Sequence, residues 1–160
     1  MKVIGYIATV LASVWQRMAG ETKHIANTYN APNAGVVSSG IKSYRADAAI
    51  TRYHLVKAGS DSQHVAVSAG ATDVIRGVAL DQAEAAEDPI AVFVLGAAAG
   101  TVLVVAAAAI SEGALVQSNG DGTVKTAVST GYPIGRALQA AQAAGDVIEI
   151  APMLSEHAVA

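Results

Sequence analysis

The stretch Gly77-Val78-Ala79-Leu80-Asp81-Gln82-Ala83-Glu84-Ala85-Ala86-Glu87-Asp88-Pro89-Ile90 returns as Gly135-Arg136-Ala137-Leu138-Gln139-Ala140-Ala141-Gln142-Ala143-Ala144-Gly145-Asp146-Val147-Ile148. The two align without a gap, and Val92 and Ile150 continue the match. Such a duplication makes each copy one supersecondary unit. Gly77 and Gly135 fall inside apolar strand patterns, where glycine marks a bulge or the close approach of another backbone. They are the structural glycines of the fold. The links Ala83–Ala86 and Ala141–Ala144 read as short helical turns or tight crossings. Asp88 and Asp146 stand where a carboxylate accepts hydrogen bonds from turn amides. No His or further carboxylate repeats with them, so scaffolding outweighs catalysis or metal binding in this motif.

Outward from the repeat, Leu55-Val56-Lys57 corresponds to Leu115-Val116-Gln117. The copies therefore span about 55–93 and 115–151. Strands are predicted at Ala49–Val56, His64–Ser68, Val74–Leu80, Ile90–Leu95, Thr101–Val105, Ala114–Gln117, Thr123–Val128, Ile134–Leu138 and Val147–Ile150. Asn119-Gly120-Asp121-Gly122 reads as a tight hairpin, since Asn and Gly accept positive φ. Turn signals every eight to twelve residues or so indicate a small β-barrel or sandwich. The expected body is 44–154, mainly β, followed by a tail at 155–160.

Residues 19–43 are polar and interrupted by Pro32, Gly35 and Gly40, and lack apolar periodicity. They read as an extended arm ordered by a partner. Ahead of them, Ile4, Ile7, Leu11, Val14, Trp15 and Met18 share one helical face. Residues 1–18 fit a short amphipathic helix, a signal peptide, or sequence upstream of a start at Met18. Gln16 and Arg17 end the apolar run short of a membrane span.

Of the 160 residues, 52% are hydrophobic but only 4% aromatic. A core of Ala, Val, Ile and Leu buries little area per side chain, so self-association is expected to add stability. Cysteine is absent. Residues 1–57 carry seven basic and two acidic groups, and residues 58–160 three basic and eleven acidic. A basic front thus precedes an acidic body, an arrangement that attracts an acidic partner to the front and opposes nucleic-acid binding by the body.

The chain shows no constellation for chemistry. His24, His54, His64 and His157 have no metal-ligand spacing, although His54 and His64 could meet across the Gly59–Ser62 turn. GxSxG, GxGxxG and phosphate-loop patterns are missing. Lys125 sits beyond the hairpin tip, where a carrier lysine would not be. Neither enzyme activity nor a cofactor is expected.

Several motifs within Val65–Leu154 carry a resemblance. They include Ile75-Arg76-Gly77-Val78-Ala79, Val92-Phe93-Val94-Leu95-Gly96, Ile110-Ser111-Glu112-Gly113-Ala114-Leu115-Val116 and Gly131-Tyr132-Pro133-Ile134-Gly135-Arg136-Ala137-Leu138. With these the chain resembles bacteriophage capsid decoration (head-stabilising, cement) proteins of the β-tulip type. The resemblance implies a homotrimer on the outer surface of the phage head, assembled in the host cytoplasm. It implies an N-terminal arm that binds the major capsid protein and bridges its subunits, with neither nucleic acid nor membrane as partner. Lys23, His24, Ile25, Tyr29, Pro32, Val36 and Val37 are the arm residues assigned to that contact. Strand addition would supply main-chain affinity there. The alternative is a secreted or surface-exposed fibre or adhesion module with 1–18 as signal peptide.

Overall fold

Small β-branched residues at alternate positions build ten strands in the computed structural model, which describes residues 40–97 and 99–153. They are β1 (Ile41–Ala46), β2 (Leu55–Ala58), β3 (His64–Val67), β4 (Ile75–Ala79), β5 (Pro89–Val94), β6 (Val102–Val105), β7 (Leu115–Ser118), β8 (Val124–Thr126), β9 (Pro133–Ala137) and β10 (Val147–Pro152). The first five close into a barrel of order β1-β3-β2-β4-β5. The last five form a sheet of order β6-β10-β9-β7-β8, the same order strand for strand. A parallel β1–β3 pair closes the barrel, whereas β6 meets β8 at a single parallel bridge, Ala106↔Val124.

The duplication is therefore longer than the sequence indicates. It begins at β1 and β6, where Ile41↔Phe93 and Val102↔Ile150 open equivalent antiparallel ladders. Three expectations need correction. The arm does not reach residue 43, because β1 starts at Ile41 and buries Tyr44 and Ala46. Ala49–Val56 is not one strand: Ile50 makes an isolated bridge to Ala83, a turn follows, and β2 begins at Leu55. The Ala-rich links are not helical, and no helix occurs among the described residues. Ala83 exchanges two backbone hydrogen bonds with Ile50, both 2.9 Å, and Ala141 does the same with Ile110. That cross-link fixes the start of each link as a bridge, after which the chain turns. Asp88 Oδ2 then accepts the amides of Glu84 and Ala85, and Asp146 Oδ2 those of Gln142 and Ala143, which fixes the turn into the last strand. The short apolar segment 1–18 lies outside the described residues.

Side-chain alternation divides the interior into three layers. Inside the barrel, Ile50, Val56, Ile90 and Val92 pack together. Their counterparts Ile110, Val116, Ile148 and Ile150 fill the second copy. Between the copies, Leu55, Val78, Phe93 and Leu95 point out of the barrel and join the second copy's cluster. The first copy thus contributes buried apolar side chains to both clusters and the second to one.

Both glycines of the motif sit at bulges. Val56 pairs with Gly77 but Lys57 with Ile75, leaving Arg76 extra, and Val116 and Gln117 treat Gly135 and Pro133 the same way. A Cβ on Gly77 would strike the Phe93 carbonyl and lie 2.6 Å from Val92, and one on Gly135 would lie 2.7 Å from the Ala151 oxygen.

Candidate binding surface

The β7–β8 turn does more than reverse the chain. Gly122 leaves no room for a Cβ, which would lie 2.9 Å from His54 and Val67; its carbonyl accepts the Leu55 amide at 2.7 Å, and the Ser68 and Ser118 hydroxyls meet at 2.5 Å. The turn so docks the second copy on the first. His54 lies under it, and burial lowers its pKa against the opposing pull of Asp121.

His64 is elsewhere and does not meet His54. Its Nδ1 lies 2.7 Å from Asp61 and its Nε2 3.1 Å from Glu87, contacts that raise its pKa, with the Asp61 hydrogen bond foremost. The same bond lowers Asp61. Glu87 also pairs with Arg45 at 3.3 Å. These groups form a polar clasp across the seam where β1 closes the barrel on β3. No three His, Asp or Glu side chains among the described residues come close enough to hold a metal ion.

An apolar groove of about 450 Å³ lies beside β6. Phe93 and Ala91 form its floor, Ile41 one rim, and Thr101 to Leu103 the other. Tyr53, Leu80 and Asp81 close its end, where the Arg52 guanidinium stands 4.7 Å from the Tyr53 ring and donates to the Leu80 carbonyl at 2.8 Å. Ile41 and Leu103 remain 44% and 38% exposed, large values for aliphatic side chains in strands. Val147, on β10 beside β6, and Leu138, just past the end of β9, are also exposed. The body therefore exposes aliphatic side chains both at the groove and on the second copy. Sequence reading missed it, because Ile41 was assigned to the arm and Leu103 to a packed strand. Arm residues Lys23, His24, Ile25, Tyr29, Pro32, Val36 and Val37 lie outside the described residues, so the structure places none of them.

A family model described as phage cement protein matches residues 43–152, well over half of the chain. The chain belongs to the phage cement protein family. This cement protein is a bacteriophage structural protein, and the matched span opens in β1 and closes on the last residue of β10. Among solved structures it is similar to the N base of the head fiber gp8.5 in bacteriophage phi29. The two share 20% identity over 72% of this chain and 94% of that one, with a TM-score of 0.57, which establishes a common fold. No curated protein matches the cement protein.

Proposed function

We propose that this cement protein binds the outer surface of a phage head and stabilises it by bridging major capsid protein subunits, as a homotrimer of the β-tulip type and without catalysis. The observation that carries the reading is the coincidence of the family match with the whole duplicated body. That body devotes its repeated residues to bulges, cross-links and turns. A closed barrel with the second sheet docked on it suits a part that spans neighbours rather than one that opens around a substrate. Residues 19–39, polar and broken by Pro32 and Gly35, are the arm that reaches the head protein, and symmetry multiplies weak contacts into avidity.

The test is binding of purified protein to heads that lack it, read by co-sedimentation and by occupancy in cryo-electron microscopy. Saturable density on the outer surface at positions of local three-fold symmetry is expected. Removal of residues 1–39 should abolish occupancy while leaving far-ultraviolet circular dichroism of the body unchanged. Full occupancy by the truncated protein would sink the role of the arm.

A further inference from the structure

The two copies meet through a short exchange of backbone hydrogen bonds. The Val105 amide of β6 donates to the Tyr53 carbonyl at 3.3 Å, and the Gly122 carbonyl accepts the Leu55 amide at 2.7 Å. The Tyr53–Leu55 corner of the first copy is thus a plug, held between β6 and the β7–β8 turn of the second. Leu55, Val78 and Phe93 accompany it into the second copy's cluster.

The first copy has the same socket, shut. Arg45 corresponds to Val105, because it pairs with Pro89 as Val105 pairs with Val147. Gln63 corresponds to Gly122, because the Asp47 amide donates to Val65 O as the Ala107 amide donates to Val124 O. In the second copy this donor and acceptor hold the plug between them. In the first they bond to each other, the Arg45 amide donating to Gln63 O at 2.9 Å. Glu87 bridges Arg45 of β1 and His64 of β3 across the closure, where its counterpart Gly145 has no side chain. Inside, Tyr44 belongs to the barrel's own cluster, whereas its counterpart Val104 shares one with Leu55 and Phe93 of the neighbouring copy.

The second copy repeats the plug, capped. Its Gly113–Leu115 corner matches Tyr53–Leu55 bond for bond: Gly113 N to Ala137 O repeats Tyr53 N to Ala79 O, and Ala137 N to Ala114 O repeats Ala79 N to His54 O. The Gly113 carbonyl, in the place of the Tyr53 carbonyl, accepts a hydrogen bond from the Arg136 guanidinium. Arg136 is exposed and stands where the first copy has Val78, which is fully buried between the copies.

We infer that the body is a repeat array stopped at two, whose sealed socket and capped plug would otherwise join a second molecule of this chain head to tail. The occupant follows from the interface between the copies, where the socket of one repeat takes the corner of another. A contact of this kind is heterologous, and it lengthens into rings or filaments unless its ends are blocked. Glu87 and Arg136 are the blocks, each a charge where the matching position carries Gly145 or Val78. The inference goes beyond the proposed head binding and does not depend on it.

Glu87→Gly opens the seal and Arg136→Val uncaps the plug, each by the residue its counterpart carries. Full-length wild type, both single variants and the double variant are compared by sedimentation velocity over a range of concentrations, with circular dichroism as the check of folding. The inference expects the double variant to grow with concentration to at least about twice the wild-type mass. Mixing the two single variants should form junctions that neither forms alone. A photo-crosslinker at position 115, in a mixture of isotopically labelled and unlabelled double variant, should join one molecule to the β1–β3 seam of another. A folded double variant that keeps the wild-type mass overturns the inference. Growth whose crosslinks lie away from that seam overturns the choice of surface. If the double variant does not fold, Glu87→Gln with Arg136→Leu, which keep the side-chain size, reads the same outcomes.

Discussion

Tyr53 and Glu87 adopt positive φ, 64° and 70°, where their counterparts Gly113 and Gly145 adopt 79° and 90°. A side chain in this region costs about 1–2 kcal/mol per residue. In each case the first copy has a use for it: Tyr53 walls the groove, and the Glu87 carboxylate reaches His64 and Arg45. Glu87→Ala keeps the strain and loses the pairing, whereas Glu87→Gly loses both. The glycine variant should therefore be the more stable of the two by about 1 kcal/mol in chemical denaturation. Equal stabilities would contradict the strain. His64 faces Asp61 and Glu87, with Arg45 behind Glu87, and Arg76 donates to its carbonyl. Its folded pKa is raised, so its contribution is complete below about 6.5 and is lost as pH climbs through the folded value. His54 is lowered and acts with the opposite sign, losing its contribution as pH falls. Whole-protein stability can thus look flat with pH. The difference in melting temperature between wild type and His64→Ala should be larger at pH 6 than at pH 8, and a constant difference would remove the clasp from the account. The Glu87/Gly145 mismatch was already visible in the aligned repeat, and it is the signal that would have found this site. His64 and Arg45 gave none, because their meeting depends on the parallel closure of β1 on β3.

At the scale of elements, most strands follow from Val and Ile alternation, and their order could not. β1 escaped notice because only Tyr44 and Ala46 of Ile41–Ala46 point inward, too few to show a period of two. The Ala-rich links looked helical because alanine is the best helix former. Cross-linking of Ala83 to Ile50 and Ala141 to Ile110 overrides that propensity. Both motif glycines were legible as bulge or close-approach positions, and both requirements hold at once. Gly77→Ala and Gly135→Ala should each destabilise by about 1–3 kcal/mol, Gly77 more, since its new Cβ runs into the backbone of β5. Thermal melts decide this, and a neutral Gly77→Ala would mean that the bulge relaxes. Equivalent positions also solve one problem in two ways. Lys57 pairs with Asp73 at 3.1 Å to pin the loop after β3, while buried Gln117 accepts the Val128 amide at 2.7 Å to pin the loop after β8.

For the whole molecule, the shared cluster between the copies governs behaviour. Leu55, Val78 and Phe93 belong to the first copy by chain and to the second by packing. The body should unfold in one cooperative transition in denaturant. Phe93→Ala should lower its stability by about 3–5 kcal/mol without splitting it. Two separate transitions would mean that the copies are independent. The repeat, which shares glycines and turn aspartates but no reactive set, pointed to a scaffold, and the family match places that scaffold among phage cement proteins. The groove beside β6 was illegible in sequence, because it exists only where the outer face of one copy meets the edge of the other. The central claim is stabilisation of a head, and the rupture temperature of purified heads with and without bound protein tests it most directly. Decorated heads are expected to release their contents at a higher temperature, with the gain rising in step with occupancy. Heads that carry the protein at full occupancy yet rupture at the undecorated temperature would contradict the account.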